Sequence, residues 1–480
     1  MQLFSRNLLA RFSVVCVVLA FNSPAGHACA AEASEFRAGA SISNITPPLG
    51  VPIVGNWDRP EATHIHDDLH VRSLVLDDGE QRLVIAMCDN LHISSELFDE
   101  ARARLVDTTG ISAENMLLAS THTHSGPEAR SPRGSERLDY GAFVVERIVD
   151  GVQCAINNLQ AAQIGWGSAE EPGEVFNRRW FMKDPQFTAN PFGGRDKVRM
   201  NPPRGHDALD KPAGPTDPEI AFLSVRSASG RPIALLANYS LHYVGGVPDG
   251  HISADYFGVF ANRIQELLGA DRLDPPFVGI LSNGTSADIN NLNFRNPRGK
   301  REPYEQMNHV ANLVAEKVHA ACQSIPYHDH VELGARASTL TLGARKPDDA
   351  RMAWAREILA KPESETETME RIYAGRMQSL RDRPDTVEIV VQAFRIGEVG
   401  IAAIPFETFA ETGLHLKEKS PFPMTFTISH ANGANGYLPT PAQHELGGYE
   451  TWLGTNRVEV GAEPAIVDRL LEQFGALAGE

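Results

Sequence analysis

Apolar residues along this chain switch between a period of two and a period near 3.6, and the switching predicts an alternation of strands and helices. Leu69-His-Val-Arg-Ser-Leu-Val-Leu76 and Arg82-Leu-Val-Ile-Ala-Met-Cys88 read as strands, with Asp77-Asp-Gly79 as the hairpin turn between them. A helix over about 94–106, a buried strand at Asn115-Met-Leu-Leu118 and helical spacing over 139–157 follow. A second hairpin pairs 221–225 with 233–237 around Gly230-Arg-Pro232. A helix from about 253, a strand at 277–281 and a helix over 305–322 come next. Residues 348–382 read as a charged helical pair. Strands near 387–395 and 399–404, a helix from about 409, a strand at 424–429 and a helix over 464–476 complete the pattern. Residues 37–56 read as irregular, with a turn at Thr46-Pro-Pro-Leu-Gly50. The Pro- and Gly-rich stretch 181–217 reads as a long loop or lid. No internal repeat is visible. The order predicts an α/β fold of layered mixed β-sheets with flanking helices, in a single catalytic domain over 31–480.

The first thirty residues change that picture only at its edge. Arg6 and Arg11 precede the apolar run Phe12–Phe21, and Ala28-Cys-Ala30 has the small-x-small form of a cleavage site. The expectation is a signal peptide over 1–30 and an exported, periplasmic or secreted, product. The apolar run is too short to span a bilayer comfortably, and no membrane span is expected after it. The formal charge is -17, or -19 once Arg6 and Arg11 are removed. An acidic surface argues against nucleic acid as a partner. Cys88, Cys154 and Cys322 remain, widely spaced and odd in number, and read as buried free thiols rather than a disulfide framework.

Candidate chemistry gathers where predicted strands end. Thr121-His-Thr-His-Ser-Gly-Pro127 follows one strand, and Gly126 and Pro127 turn the chain after two closely spaced imidazoles. Asn238-Tyr-Ser-Leu-His242, Asn283–Asn290, Glu407 and Asn432-Gly-Ala-Asn-Gly-Tyr437 follow others. Loops at strand ends of layered α/β folds converge on one site, so residues distant in sequence can share a metal. Zinc takes imidazole nitrogen and carboxylate oxygen in a cysteine-poor protein. Each residue also has a plainer reading: His242 as a core histidine, Glu407 or Glu411 as a carboxylate favouring a helix start, Tyr437 as a core aromatic. Spacing leaves these alternatives open.

The ordered set resembles the neutral, non-lysosomal ceramidase family in its amino-terminal catalytic domain. The matching pieces are Gly39-Ala-Ser-Ile-Ser-Asn-Ile-Thr-Pro-Pro-Leu-Gly50, His66-Asp-Asp-Leu69, Thr121–Pro127, Asn177-Arg-Arg179, Asn238–His242, Ser282–Asn291, Ile404-Pro-Phe-Glu407, Gly436–Thr440 and Tyr449-Glu450. The resemblance implies a zinc ion held by His122, His242, Glu407 and Tyr437. It implies catalytic roles for His124, Arg178 (with Arg179 as the other register), Tyr437 and Tyr449. Asp288 and Asn290 would lie on the substrate side, while Asp89, His92 and Asp255 read as supporting groups.

The activity implied is hydrolysis of an N-acyl, linear amide bond by zinc-bound water, whose pKa zinc lowers toward ~7. His124, Arg178 and the tyrosine hydroxyls are candidates for charge stabilisation, and His124 for protonating the leaving amine. The substrate is a lipid or small-molecule N-acyl compound, ceramide being that of the family.

Two features depart from the family. Its Gly-Asp-Val-Ser-Pro segment reads Ala287-Asp-Ile-Asn-Asn291 here, so Asn290 stands where the family has serine. The carboxy-terminal β-sandwich of the family is not expected here, since the residues after Glu450 read as one helix. A zinc esterase or lactonase, a deacylase of a non-lipid substrate, and a non-catalytic binding protein on the same fold are the competing readings. A serine nucleophile is disfavoured, because no Gly-x-Ser-x-Gly elbow joins a strand to a helix.

Overall fold

Alternation along single strands shows how the chain divides its apolar surface. In Arg82–Cys88 (β3), Leu83, Ile85 and Met87 enter one hydrophobic cluster while Val84, Ala86 and Cys88 enter another. The same division recurs in Val399–Ile404 (β14), with Val399, Ile401 and Ala403 on one side and Ala402 and Ile404 on the other. Such strands are buried on both faces and need a sheet or helix layer on each. The structure, a computed structural model, describes residues 35–55, 58–130 and 139–479. The expected signal peptide over 1–30 lies outside the described residues.

Three units share one plan. In the first, Arg37–Asn44 (β1), His70–Asp77 (β2) and β3 run antiparallel. Helix Ser95–Thr109 (α1) then crosses over to Met116–Ser120 (β4), which lies parallel to β3, and Tyr140–Asn157 (α2) follows. In the second, Gln160–Glu170 (β5), Glu219–Ser227 (β9) and Pro232–Tyr239 (β10) are antiparallel. Asp255–Leu267 (α3) leads to the parallel strand Val278–Asn283 (β11), and Glu305–Cys322 (α4) follows. In the third, Leu333–Gly343 (β12), Thr386–Ile396 (β13) and β14 are antiparallel. Ala410–Lys419 (α7) leads to the parallel strand Met424–Ser429 (β15), and Ala462–Ala478 (α8) closes the unit.

Pairing of β1 with β5 through Arg37↔Ala161 and Ala38↔Gln160 joins the first two units into one eight-stranded sheet. The inner faces of all three units meet in one apolar cluster that includes Leu74, Ile85, Leu223, Leu236, Phe394 and Ile401. Each outer face packs on its own helices. The fold is thus the expected mixed α/β layering, with a threefold structural repeat that the sequence does not display. Buried strands tolerate exchange among apolar residues of similar volume, so a repeat of shape can persist after its sequence repeat has vanished.

Other differences have local causes. Residues 37–44, expected to be irregular, form β1. Their run Ala-Gly-Ala is small because α2 lies against it, and a Cβ on Gly39 would sit 2.2 Å from the Ala155 carbonyl oxygen. The stretch 181–217 is not a structureless loop. Arg179–Met182 (β6) pairs with Val198–Met200 (β7) and with Leu209–Pro212 (β8), over a small cluster of Trp180, Leu209 and Phe294. Strands this short carry too little alternation to be read from sequence. Residues 348–382 do form a helical pair, Asp349–Ala360 (α5) and Thr368–Arg381 (α6), with a small core of their own. Cys88, Cys154 and Cys322 are free thiols, and Cys154 is exposed rather than buried. Among the described residues no helix is long and apolar enough to cross a membrane.

Phe394 is fully buried where the three inner faces meet, beside Ala335 and Ile401 in register. Phe394→Ala is expected to cost about 3–5 kcal/mol, the range for emptying a large buried aromatic site. Denaturant unfolding measures this. A loss below about 1 kcal/mol would contradict a shared core at that position.

Candidate functional site

Parallel pairing brings strand ends together two at a time. Cys88 is level with Ser120, Tyr239 with Asn283, and Ile404 with Ser429. The segments leaving these ends supply the site, as ligand loops do at the carboxyl edge of α/β sheets. His122 follows β4, His242 follows β10 and Glu407 follows β14. In each unit the two departing segments are tied by backbone hydrogen bonds: Thr121 N to Cys88 O (2.9 Å), Gly284 N to Tyr239 O (2.9 Å), and Ala431 N to Ile404 O (3.2 Å).

The histidines are oriented by carbonyl oxygens. His122 Nδ1 lies 3.1 Å from Leu91 O, His242 Nδ1 3.1 Å from Ser286 O, and His124 Nδ1 3.1 Å from Gly55 O. A carbonyl only accepts, so each Nδ1 carries the proton and each Nε2 presents a lone pair. The close approach of Gly55 depends on its lacking a side chain: its φ is +109° and a Cβ would stand 2.8 Å from the His124 ring. His122 itself has φ +67°, the left-handed region, as do His430 (+56°) and Asn432 (+66°). Strained non-glycine residues of this kind gather at functional sites.

The lone pairs converge. His124 Nε2 is 3.1 Å from His122 Nε2, and Glu407 Oε2 is 3.6 Å from His122 Nε2. The ligand atoms of His122, His124 and His242 all lie within 4.8 Å of one another. His242 Nε2 and Glu407 Oε2 are buried with no hydrogen-bond partner. Two facing lone pairs and two unpartnered acceptors are unfavourable together unless something positive sits among them. A cation is the partner this donor set fits. Burial keeps the imidazoles neutral: it takes His122 down to about 3 and lowers His124 and His242 well below the usual range, where neighbouring cationic groups add to the effect. Burial also raises the Glu407 carboxyl to about 7, against the Tyr437 hydrogen bond and the Arg178 charge.

Arg178 borders this cradle. Its guanidinium donates to Tyr437 Oη (3.0 Å) and to Glu450 Oε1 (2.9 Å). Arg179 turns the other way, onto Glu450 Oε2 (2.5 Å), Gln443 Oε1 (3.0 Å) and Gly447 O (2.6 Å). The Tyr449 ring stands 5.6 Å from that of Tyr437. His122, His124, Glu407, Tyr437 and Tyr449 all line one cavity of about 360 Å³, which also takes in Leu91 and His92.

Asp288 and Asn290, expected on the substrate side, are not among the residues that line this cavity. Asp288 accepts from Asn177 Nδ2 (2.7 Å) and Ala410 N (3.0 Å), and its backbone carbonyl accepts from Arg178 N (2.7 Å). It therefore ties Arg178 to the start of α7. Asn290 donates to Asn201 Oδ1 at 2.6 Å. Asp89 is ion-paired with Arg72, and Asp255 accepts from the backbone of Val244 and Gly245. His430 escaped the sequence reading. It stacks on His122 with ring centroids 4.0 Å apart, and with His92 and His122 forms a second cluster of three possible ligands. Its position one residue past a predicted strand was the signal available.

Fold and site together define a mixed α/β hydrolase. The family model described as neutral/alkaline non-lysosomal ceramidase, N-terminal, matches residues 36–357, and the chain belongs to that family. Two solved structures share the fold. A ceramidase complexed with C2 aligns at TM-score 0.68 with 16% identity, over 93% of this chain and 76% of that one. The neutral ceramidase from Pseudomonas aeruginosa aligns at TM-score 0.65 with 18% identity, over 93% and 75%. No curated protein matches the chain. The family is one of amide-bond hydrolases acting on lipid N-acyl substrates.

Glu450 is fully buried and serves both Arg178 and Arg179. Burial alone would raise its carboxyl, but the two guanidinium groups outweigh this and hold it below the usual range. Glu450→Ala is expected to cost about 3–5 kcal/mol by stranding two buried cations. Because the folded carboxyl titrates below the unfolded one, its contribution is complete above about pH 4.5 and fades as pH falls through the depressed value. Unfolding midpoints of wild type and variant should therefore converge in acid. A gap that stays constant down to about pH 2 would contradict the assignment.

Proposed function

We propose that this chain is an exported, zinc-dependent hydrolase of N-acyl amides, with its catalytic domain over 31–480. The reading is carried by the ligand atoms of His122, His124 and His242 lying within 4.8 Å of one another, with Glu407 Oε2 3.6 Å from His122 Nε2, and by His242 Nε2 and Glu407 Oε2 being buried and unpartnered. His122, His242 and Glu407, with Tyr437, would hold the zinc. When bound, zinc supplies a Lewis acid and acidifies water toward ~7.

The remaining residues divide the other work. Arg178, held by Glu450, aims one N–H at Tyr437 Oη and brings a fixed positive charge to where oxyanion character develops on the substrate carbonyl. His124, neutral with its Nδ1–H given to Gly55 O and its ring stacked on Tyr243 at 3.8 Å, presents Nε2 to take a proton from the attacking water and pass it on to the departing amine. Tyr449 borders the cavity that receives the acyl compound. Asn290 needs no catalytic role in this scheme, since no acyl-enzyme forms. Export is supported by Arg6, Arg11, the apolar run 12–21 and Ala28-Cys-Ala30.

The test is amine release by the purified protein from a panel spanning an N-acylsphingosine and shorter N-acyl amides. A chelator should abolish release and added zinc restore it. His124→Ala should retain zinc yet slow release by about 10²–10⁴-fold, the usual worth of a positioned acid–base group. Chelator-insensitive turnover would sink the metal-dependent scheme, and loss of zinc from His124→Ala would make that residue a ligand instead.

A further inference from the structure

The cavity that ends on the zinc cradle is cationic at its other end, in a protein of net charge -17. Arg59, Arg130, Arg376 and Arg457 all line it. They come from separate places: the segment after β1, the loop that carries His124, helix α6, and the loop beyond Tyr449. Against them stands Glu128, which is divided between Arg130 (2.7 Å) and Arg59 (3.5 Å). Among the described residues the other lining carboxylate is Glu407, which faces His122. Arg376 lies over the Tyr373 ring (4.8 Å) and donates to Thr455 Oγ1 (3.2 Å).

Arg457 is the informative member. It pairs with no carboxylate among the described residues. Burial takes it down to about 10, and the like charges of Arg383, Arg130 and Arg376 push the same way. Arg130 and Arg457 also act on His92, and Arg457 on Glu407, so the cationic end is within electrostatic reach of the histidines. Collecting partly desolvated guanidinium groups around one space is costly unless an anion enters it. A neutral N-acyl amine offers none. Guanidinium forks match carboxylate, sulfonate and phosphate oxygens in particular.

Building on the hydrolase reading above, we infer that the substrate of this chain is an N-acyl compound bearing an oxyanion, seated on Arg457, Arg376 and Arg130 while its amide faces the histidine cradle. The anion is a carboxylate, sulfonate or phosphate, and the family's neutral lipid is then not the preferred substrate of this member.

The test compares N-octanoylglycine with its neutral glycinamide counterpart on the zinc-loaded protein, and runs the sulfonate and phosphonate analogues beside them to rank the anions. The carboxylate should exceed the amide by about 10–100-fold in kcat/KM, the worth of one charge-assisted hydrogen-bonded pair. Arg457→Gln should bring that ratio near one, and Arg130→Gln, at a half-exposed position, should lower it without endangering the fold. Equal rates on the two compounds, or a preference that survives both substitutions, overturns the inference. Binding is followed separately as the rise in Tm with each non-hydrolysed compound. A rise with the carboxylate alone, lost in Arg457→Gln, upholds the anion site even if no amide is turned over, in which case only the hydrolase reading fails. Equal rises with both compounds sink the anion site.

Discussion

Everything at this site depends on three hydrogen bonds from imidazole Nδ1 to main-chain carbonyl oxygens. Leu91, Ser286 and Gly55 supply the acceptors, and each bond fixes a tautomer and a ring direction at once. The consequence is that three Nε2 lone pairs and the Glu407 carboxylate face one another in a region removed from water. That arrangement is unfavourable alone, and the large inner core and the paired strand ends hold it in place. Arg178 and Glu450 add a second layer: a buried cation positioned by a buried anion, with Tyr437 between it and the cradle.

The threefold plan explains why residues so far apart in sequence meet. Each unit sends two parallel strands to the same end of its sheet, and each contributes from that end: His122 from the first unit, His242 from the second, Glu407 from the third. The first strand of each unit runs parallel to the third and ends at the same edge. The long segments that follow those first strands therefore reach the cavity too. They bring Gly55 and Arg59 from the first unit and Arg376 from the third into its lining, while Arg178 from the second stands behind Tyr437. The candidate ligands His122, His242 and Glu407 come from the segments leaving the paired strands, and much of the cavity wall comes from these longer segments. Variation in the walls can then alter what enters without disturbing the converging donors, as expected where loops on a rigid scaffold carry specificity.

Much of the scaffold was legible in the sequence because buried strands and amphipathic helices leave strong periodic signals. The hairpin at Asp77–Gly79, the strand before His122, α2, α4 and the pair α5–α6 all stand where the pattern puts them. Strand β1 was not legible, because its small residues answer to the approach of α2 rather than to burial. Nor were β6, β7 and β8, which are too short to show a period. In the site, His122, His242, Glu407 and Tyr437 were reachable because each stands in a segment that follows a strand, whereas Arg178 was reachable only through the family resemblance of Asn177-Arg-Arg179. Asp288 and Asn290 share such a segment, yet hydrogen bonds draw them away from the cavity. The arginines of the far wall give no signal along the chain, and His430 gives only its place one residue past a strand. Their meaning arises only from proximity in space, between residues separated by up to several hundred positions.

The central claim is that the converging donors are a cation site. Titrating metal-stripped protein with zinc in a calorimeter tests it without reference to any substrate. The account predicts saturation at one zinc per chain, with proton uptake by the buffer reporting release from Glu407 near neutral pH. Failure to bind zinc, in protein shown to be folded, would contradict it.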